Sequence, residues 1–143
     1  MKLELKRKFR DGEILDGILC VNGKRLCDTS ENGYSALPPG TYQVERRYCK
    51  HYCQHRPVIV IDRNACCDDC PQIGNEVFLN TVLPVYCPQI KMGNGIHNRH
   101  DGSVIIGKRV VPGVIKLPAV PYEKLTERMR KLAPGSAITL QIK

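Results

Sequence analysis

Two turn signals near the start of the chain, Asp11-Gly12 and Asn22-Gly23, constrain its fold more than any other feature. Such dipeptides are favoured where the central residues of a tight turn take positive φ, the geometry that returns one twisted strand antiparallel to another. Ahead of the first turn, Leu3 and Leu5 alternate with Lys2, Glu4 and Lys6, the period of a half-buried strand. Residues 13–21 read as the return strand and 24–29 as a third, so the chain is expected to open as a β-meander.

The same signals recur further on. Leu37-Pro38-Pro39-Gly40 is a turn that opens a strand at 41–46, with Tyr42 and Val44 on one face. Pro57-Val58-Ile59-Val60-Ile61 is a continuous apolar run, long enough for a buried strand and too short for a helix. Further strands are expected at 77–82 and 103–107, and the alternation over 137–142 predicts a last one. One helix is predicted late in the chain. Pro121 suits a first turn, Tyr122, Leu125, Met129 and Leu132 recur at helical spacing, and Pro134-Gly135 ends the pattern. With no linker, repeat or low-complexity stretch in 143 residues, the expectation is one domain over 1–143. Its class is mainly β (α+β), with a single C-terminal helix docked on the strands.

The net charge of +8 favours an anionic partner, although a basic surface also serves solubility alone. Nucleic acid is the less favoured partner: tryptophan is absent, aromatics are few, and no helix carries charge at the spacing a groove needs. The first residues hold no apolar core of signal-peptide length, and no run is long enough to span a bilayer. The chain is therefore expected to be cytoplasmic as synthesised, leaving the cell only by lysis, within a phage particle or through a specialised secretion system. Nothing in the pattern speaks to oligomeric state.

Eight cysteines exceed what packing needs in a reducing compartment, where they read first as metal ligands. Most fall in a cysteine-rich insertion at 49–70. There Cys49 and Cys53 form a C-x3-C and Cys67 and Cys70 a C-x-x-C, whose short turn lets two thiolates hold one ion. These four are the expected tetrahedral set for a structural zinc, with Cys66, His51 or His55 able to replace a member. The alternative is a loop pinned by reduced or disulfide-paired cysteines. Cys20, Cys27 and Cys87 lie in or beside strands and read as core thiols.

The richest chemistry lies in Gly93-Asn94-Gly95-Ile96-His97-Asn98-Arg99-His100-Asp101-Gly102-Ser103, which runs into Val104-Ile105-Ile106-Gly107. His97 or His100 could act as a base on Ser103, Asp101 could orient an imidazole, and the amides around Gly102 and Ser103 could form an oxyanion hole. The plain alternative is a hydrogen-bonded turn. Together with Lys108 and Arg109, the stretch reads as a basic cleft.

Four landmarks occur in order: Leu3 to Arg7 with its hairpin; Leu26-Cys27-Asp28-Thr29; Pro38-Pro39-Gly40-Thr41-Tyr42-Gln43-Val44; and Gly95-Ile96-His97 followed by Gly102-Ser103-Val104-Ile105-Ile106-Gly107. With the terminal helix and the Ile138-Thr139-Leu140 strand, this set resembles an uncharacterised small domain family of phages and gut bacteria related to the L,D-transpeptidase catalytic domain. The resemblance omits the cysteine-rich insertion. It implies an L,D-transpeptidase-like β-sandwich or barrel with a cleft at 97–103. It also implies a peptidoglycan-derived ligand, with His97 as the upstream histidine, Gly102 as the glycine before the nucleophile and Ser103 in the nucleophile's place. That place is held by cysteine in the family, and the segment here is shorter. A thiol of pKa roughly 8.5 ionises readily beside a histidine, whereas a serine hydroxyl depends on an aligned base. The expectation is a non-catalytic protein that binds an anionic or peptidic ligand, a cell-wall fragment or a nucleotide, through His97, Arg99, His100, Gly102 and Ser103. The alternatives are a serine-dependent peptidoglycan hydrolase or transferase using Ser103 with His97 or His100, and a zinc-stabilised nucleic-acid binder.

Overall fold

A computed structural model describes residues 1–49, 52–61, 78–79, 81–93, 95 and 101–143. The meander forms as the turn residues require. β1 (Lys2–Asp11), β2 (Ile14–Val21) and β3 (Lys24–Asn32) pair antiparallel in sequence order. Asn22 and Gly23 have φ of 48° and 84°, so both central residues of that turn are left-handed. The Asn22 side chain also accepts the Lys2 N–H at 2.9 Å, tying the turn to the start of β1.

β4 (Gly40–Cys49) and β5 (Gln54–Val60) make a second hairpin. The C-terminal strand β9 (Thr139–Ile142) inserts between the two hairpins, parallel to β1 and antiparallel to β4. On the other side, β7 (Val104–Val111) pairs with β3 and runs parallel to the short β6 (Ile90–Lys91), while β8 (Val114–Lys116) folds back on the end of β7. The order β5-β4-β9-β1-β2-β3-β7-β6 then nearly closes on itself. Val58 of β5 bridges Gln89, and the Ile59 N–H donates to the Pro88 carbonyl at 2.9 Å. The result is a mainly β, barrel-like sheet. Near-closure removes most of the free strand edge that an open sheet would expose.

Leu3 and Leu5, Leu19 and Val21, Val44, Ile59, Ile106 and Leu140 are at most 2% exposed and fill one continuous core. α1 (Ala119–Arg130) adds Tyr122, Leu125 and Met129 to it, three of the four positions expected from the helical spacing. Leu132 lies just past the helix and is partly buried. Among the described residues no helix is long and apolar enough to cross a membrane.

Three expectations need correction. The described residues of 77–82 join no strand, and Phe78 and Val82 are 67% and 73% exposed: apolar character there is not matched by a partner edge. β6 and β8 were not foreseen, being too short to show a period. The strands expected at 41–46 and 103–107 also extend further, to Cys49 and Val111.

Candidate functional site

Asp101, Gly102 and Ser103 form a buried polar turn at the entry to β7. Asp101 Oδ1 accepts the Ser103 N–H at 2.9 Å, its Oδ2 takes the Lys91 ammonium at 2.9 Å, and its backbone carbonyl takes the Tyr86 N–H at 2.9 Å. Lys91 and Asp101 are both buried, so each charge needs the other. Between Asp101 and Ser103, Gly102 has φ +87°. A Cβ there would stand 2.7 Å from Val85 Cγ1 and 3.2 Å from the Ser35 carbonyl oxygen. Both conformation and space demand glycine.

The Ser103 hydroxyl oxygen accepts the Gln89 N–H at 3.0 Å, and the Gln89 carbonyl accepts the Val104 N–H at 2.8 Å. The Gln89 side chain then accepts from Arg56 Nε at 2.7 Å and reaches Cys87 Sγ at 3.6 Å. The buried Arg56 guanidinium lies 3.8 Å from the centroid of the Tyr52 ring. One network thus runs from Lys91 through Asp101, Ser103 and Gln89 to Arg56.

This geometry changes the roles open to the predicted residues. The Ser103 amide is already donated to Asp101, so it is not an oxyanion donor as the turn stands. Both Asp101 oxygens are engaged, one by that amide and one by Lys91. Among the described residues no base bonds Ser103. His97, Arg99 and His100 lie outside the described residues. Arg109, expected to line a basic cleft, is instead an internal clamp. Its Nε meets Asp16 Oδ2 at 3.1 Å, and its Nη2 donates to the Gly17 and Thr29 carbonyls at 2.7 and 2.8 Å. Burial alone would raise the neighbouring Asp28 carboxyl. The Arg109 backbone N–H and the Arg25 guanidinium outweigh that and hold it below the usual carboxylate range.

Beside the turn is a second buried polar group of residues. Asp16 and Ser30 face each other across β2 and β3, and Asn32 follows on the same face of β3. Asp16 Oδ1, Ser30 Oγ, Asn32 Nδ2 and Ser35 Oγ are all buried, and none has a hydrogen-bond partner among the described residues. Gly113 connects this seat to Gly95: its N–H donates to Asp16 Oδ2 at 2.8 Å, and its carbonyl oxygen would stand 2.0 Å from a Cβ on Gly95. At the other end, Ser35 adjoins Gly102.

Of the expected zinc ligands, Cys49 ends β4 in a buried position and Cys53 is exposed in the turn before β5, with φ +52°. Cys67 and Cys70 lie outside the described residues, as does Cys66. Among the described residues no group of three metal-binding side chains comes together. Cys20, Cys27 and Cys87 are buried, as expected of core thiols.

Sequence reasoning missed Lys91, Gln89 and Asp16, and read Arg56 only as one of a basic cluster with Arg46, Arg47 and Lys50, whereas it is buried. A lysine or arginine within an apolar run was the available signal, since such a residue in a buried strand must find a partner. No protein-family model matches the chain, and no curated protein or solved structure matches it, so the reading rests on these residues themselves.

Proposed function

We propose that this is a non-catalytic binding protein that holds a peptidic, anion-bearing ligand, a cell-wall stem peptide, at the end of the barrel around Asp101, Gly102 and Ser103. The observation that carries the reading is the set of four orphaned polar atoms beside that turn. Buried polar groups are nearly always paired, and four in one place ask for a polar occupant. The set fits a peptide: Asp16 Oδ1 accepts an amide N–H, while Asn32 Nδ2 and the Ser30 and Ser35 hydroxyls donate to carbonyl or carboxylate oxygens. In this reading His97, Arg99 and His100 meet the ligand's carboxylates, and Gly102 keeps the turn tight against Val85 and Ser35. Ser103 acts as a structural acceptor for Gln89 rather than as a nucleophile. The ligand class is taken from the sequence landmarks alone, Gly95-Ile96-His97 and Gly102 to Gly107 among them, and is part of the proposal.

Titration of the full chain with a synthetic stem peptide, followed by NMR, tests the proposal. Shifts at Asp16, Ser30, Asn32 and Gly102 are expected, and Asn32→Leu is expected to weaken binding severalfold. Ser103→Ala is expected to retain binding. Absence of shifts at saturating peptide overturns the proposal. So does an acyl adduct on Ser103 after incubation with an activated acyl donor, which would establish the serine enzyme instead. We further infer that zinc held by Cys49, Cys53, Cys67 and Cys70 staples the β4–β5 hairpin to the insertion. One equivalent of zinc in protein purified without chelator is expected, lost on Cys49→Ser and Cys70→Ser; metal-free, folded protein counts against it.

A further inference from the structure

A groove of about 380 Å³ lies between the β4–β5 hairpin and α1, lined by none of the residues of the Asp101 turn. Its size is within the range of small-molecule sites. Three kinds of recognition chemistry meet in it. Tyr48 and His55 are directly opposed across the hairpin, with ring centroids 5.3 Å apart and planes at 69°. This edge-to-face pair leaves Tyr48 40% exposed, an aromatic surface at the groove wall. Arg46 precedes Tyr48 on the same face of β4 and is exposed, and among the described residues no acceptor meets its guanidinium.

The helix side contributes two oxygens. Tyr122 is 6% exposed, and its buried hydroxyl has no hydrogen-bond partner among the described residues. Burial pushes that phenol up, so it remains a donor at any physiological pH. Glu127 is held ionised by the Arg130 guanidinium, which donates to it at 3.0 and 2.6 Å and lowers its carboxyl below the usual range. The bond to Arg130 also neutralises much of that arginine's charge, so Arg46 is the cation left to attract an anion.

We propose that this groove binds a nucleoside monophosphate, with the base stacked on Tyr48, the phosphate at Arg46, the ribose hydroxyls donating to Glu127, and the Tyr122 hydroxyl satisfied by a ligand oxygen. A simple anion would leave Tyr48 unused, and an apolar ring alone would leave Arg46 and Tyr122 unused. A nucleotide uses all three. Aromatic–base stacking tolerates any base, so the site discriminates by the presence of base and phosphate rather than by base identity.

The test is NMR titration of the isotope-labelled full chain with AMP, adenosine and ribose 5-phosphate. AMP is expected to shift amides of β4, β5 and α1, and each truncated ligand to bind at least about fivefold more weakly. Tyr48→Ala is expected to weaken AMP binding by about fivefold or more, whereas Tyr48→Phe keeps it near the parent value. Arg46→Gln is expected to erase the preference for AMP over adenosine. Tyr122→Phe is expected to weaken AMP while raising the apo melting temperature, because it removes an unsatisfied buried hydroxyl. Absence of shifts at millimolar AMP overturns the proposal, as do shifts confined to other elements. It also fails if Tyr48→Ala, folded by its spectrum, binds AMP like the parent, or if an oligoadenylate binds where AMP does not.

Discussion

The β1–β3 meander and the described residues 85–91 and 101–103 both bury residues in the barrel, yet they are held by different means. In the meander, long antiparallel ladders satisfy the backbone, and two glycine turns set the register. Its one deep ion pair is bidentate. Arg7 grips both oxygens of Glu31 at 2.9 and 2.8 Å and adds a bond to the Leu37 carbonyl. The later stretch has a two-residue strand, single bridges to Val58 and Val114, and a turn held by Asp101, Ser103 and Gln89 side chains. Ladders give a rigid frame that tolerates side-chain change. Side-chain networks give a shaped polar surface in which each substitution removes part of the backbone's support. A barrel that places the second kind of region on the first can present a site without endangering its own fold.

The comparison breaks first at its two ion pairs. Glu31→Ala leaves the half-buried Arg7 guanidinium without its carboxylate, held only by the Leu37 carbonyl. Complete burial already pushes the Glu31 carboxyl up while Arg7 pulls it back, so Glu31 has no water to fall back on and Arg7 is bound to it at both oxygens. The expected loss is about 3–5 kcal/mol in chemical denaturation. Asp101→Ala strands Lys91, but a long lysine on a two-residue strand can swing to solvent, so the expected loss is smaller, about 1–3 kcal/mol. Native-state hydrogen exchange should show that loss concentrated at the Ser103 amide, which loses its side-chain acceptor, while the Tyr86 amide keeps the Asp101 backbone carbonyl. Equal global losses, with no local signature, would remove the distinction between frame and site.

A pair of glycines sharpens it. Gly23 and Gly102 have nearly the same φ, +84° and +87°, but a Cβ on Gly23 meets nothing within 4 Å, whereas on Gly102 it meets Val85. Gly23→Ala is expected to lose about 1 kcal/mol from backbone strain alone. Gly102→Ala is expected to lose about 2–3 kcal/mol, because overpacking adds to the strain. Melting of the two variants side by side measures the difference. Similar values would mean that Val85 can step aside and that the turn is looser than its contacts imply.

The frame was largely readable from the residues because its causes are local. Asn22-Gly23 names its own turn, Leu3 and Leu5 name their own face, and Tyr122, Leu125 and Met129 name the buried stripe of α1. Barrel closure was not readable, since it depends on Gln89 meeting Val58 across a gap in sequence that no period reports. The site divided in the same way. Gly102 and Asp101 announce a turn, but the partners Lys91 and Gln89 come from β6 and the bridge before it, elements too short to be seen in advance. Arg109 shows the opposite error: a surface-looking basic dipeptide in which one member is the internal clamp on Asp16.

At neutral pH the last effect vanishes, because it concerns alkaline pH and the frame alone. Cys27 sits in β3 at 8% exposure, and burial pushes its thiol up from 9.0 to about 12, with the Gly107 backbone hydrogen bond only partly opposing this. The native chain therefore keeps the Cys27 proton through a window in which the unfolded chain has released it. Between pH 9 and about 12 the unfolded state binds fewer protons, so ionisation favours unfolding and stability falls as pH rises. The expected slope is about 1.4 kcal/mol per pH unit, over and above other alkaline effects. Cys27→Ala should lose that component of the slope while lowering stability at neutral pH through the small cavity it leaves. In the parent, native Cys27 should resist iodoacetamide at pH 9 and react once denatured. Rapid alkylation of the native thiol would show that β3 opens as readily as the site it supports, and the frame would no longer differ from what is built on it.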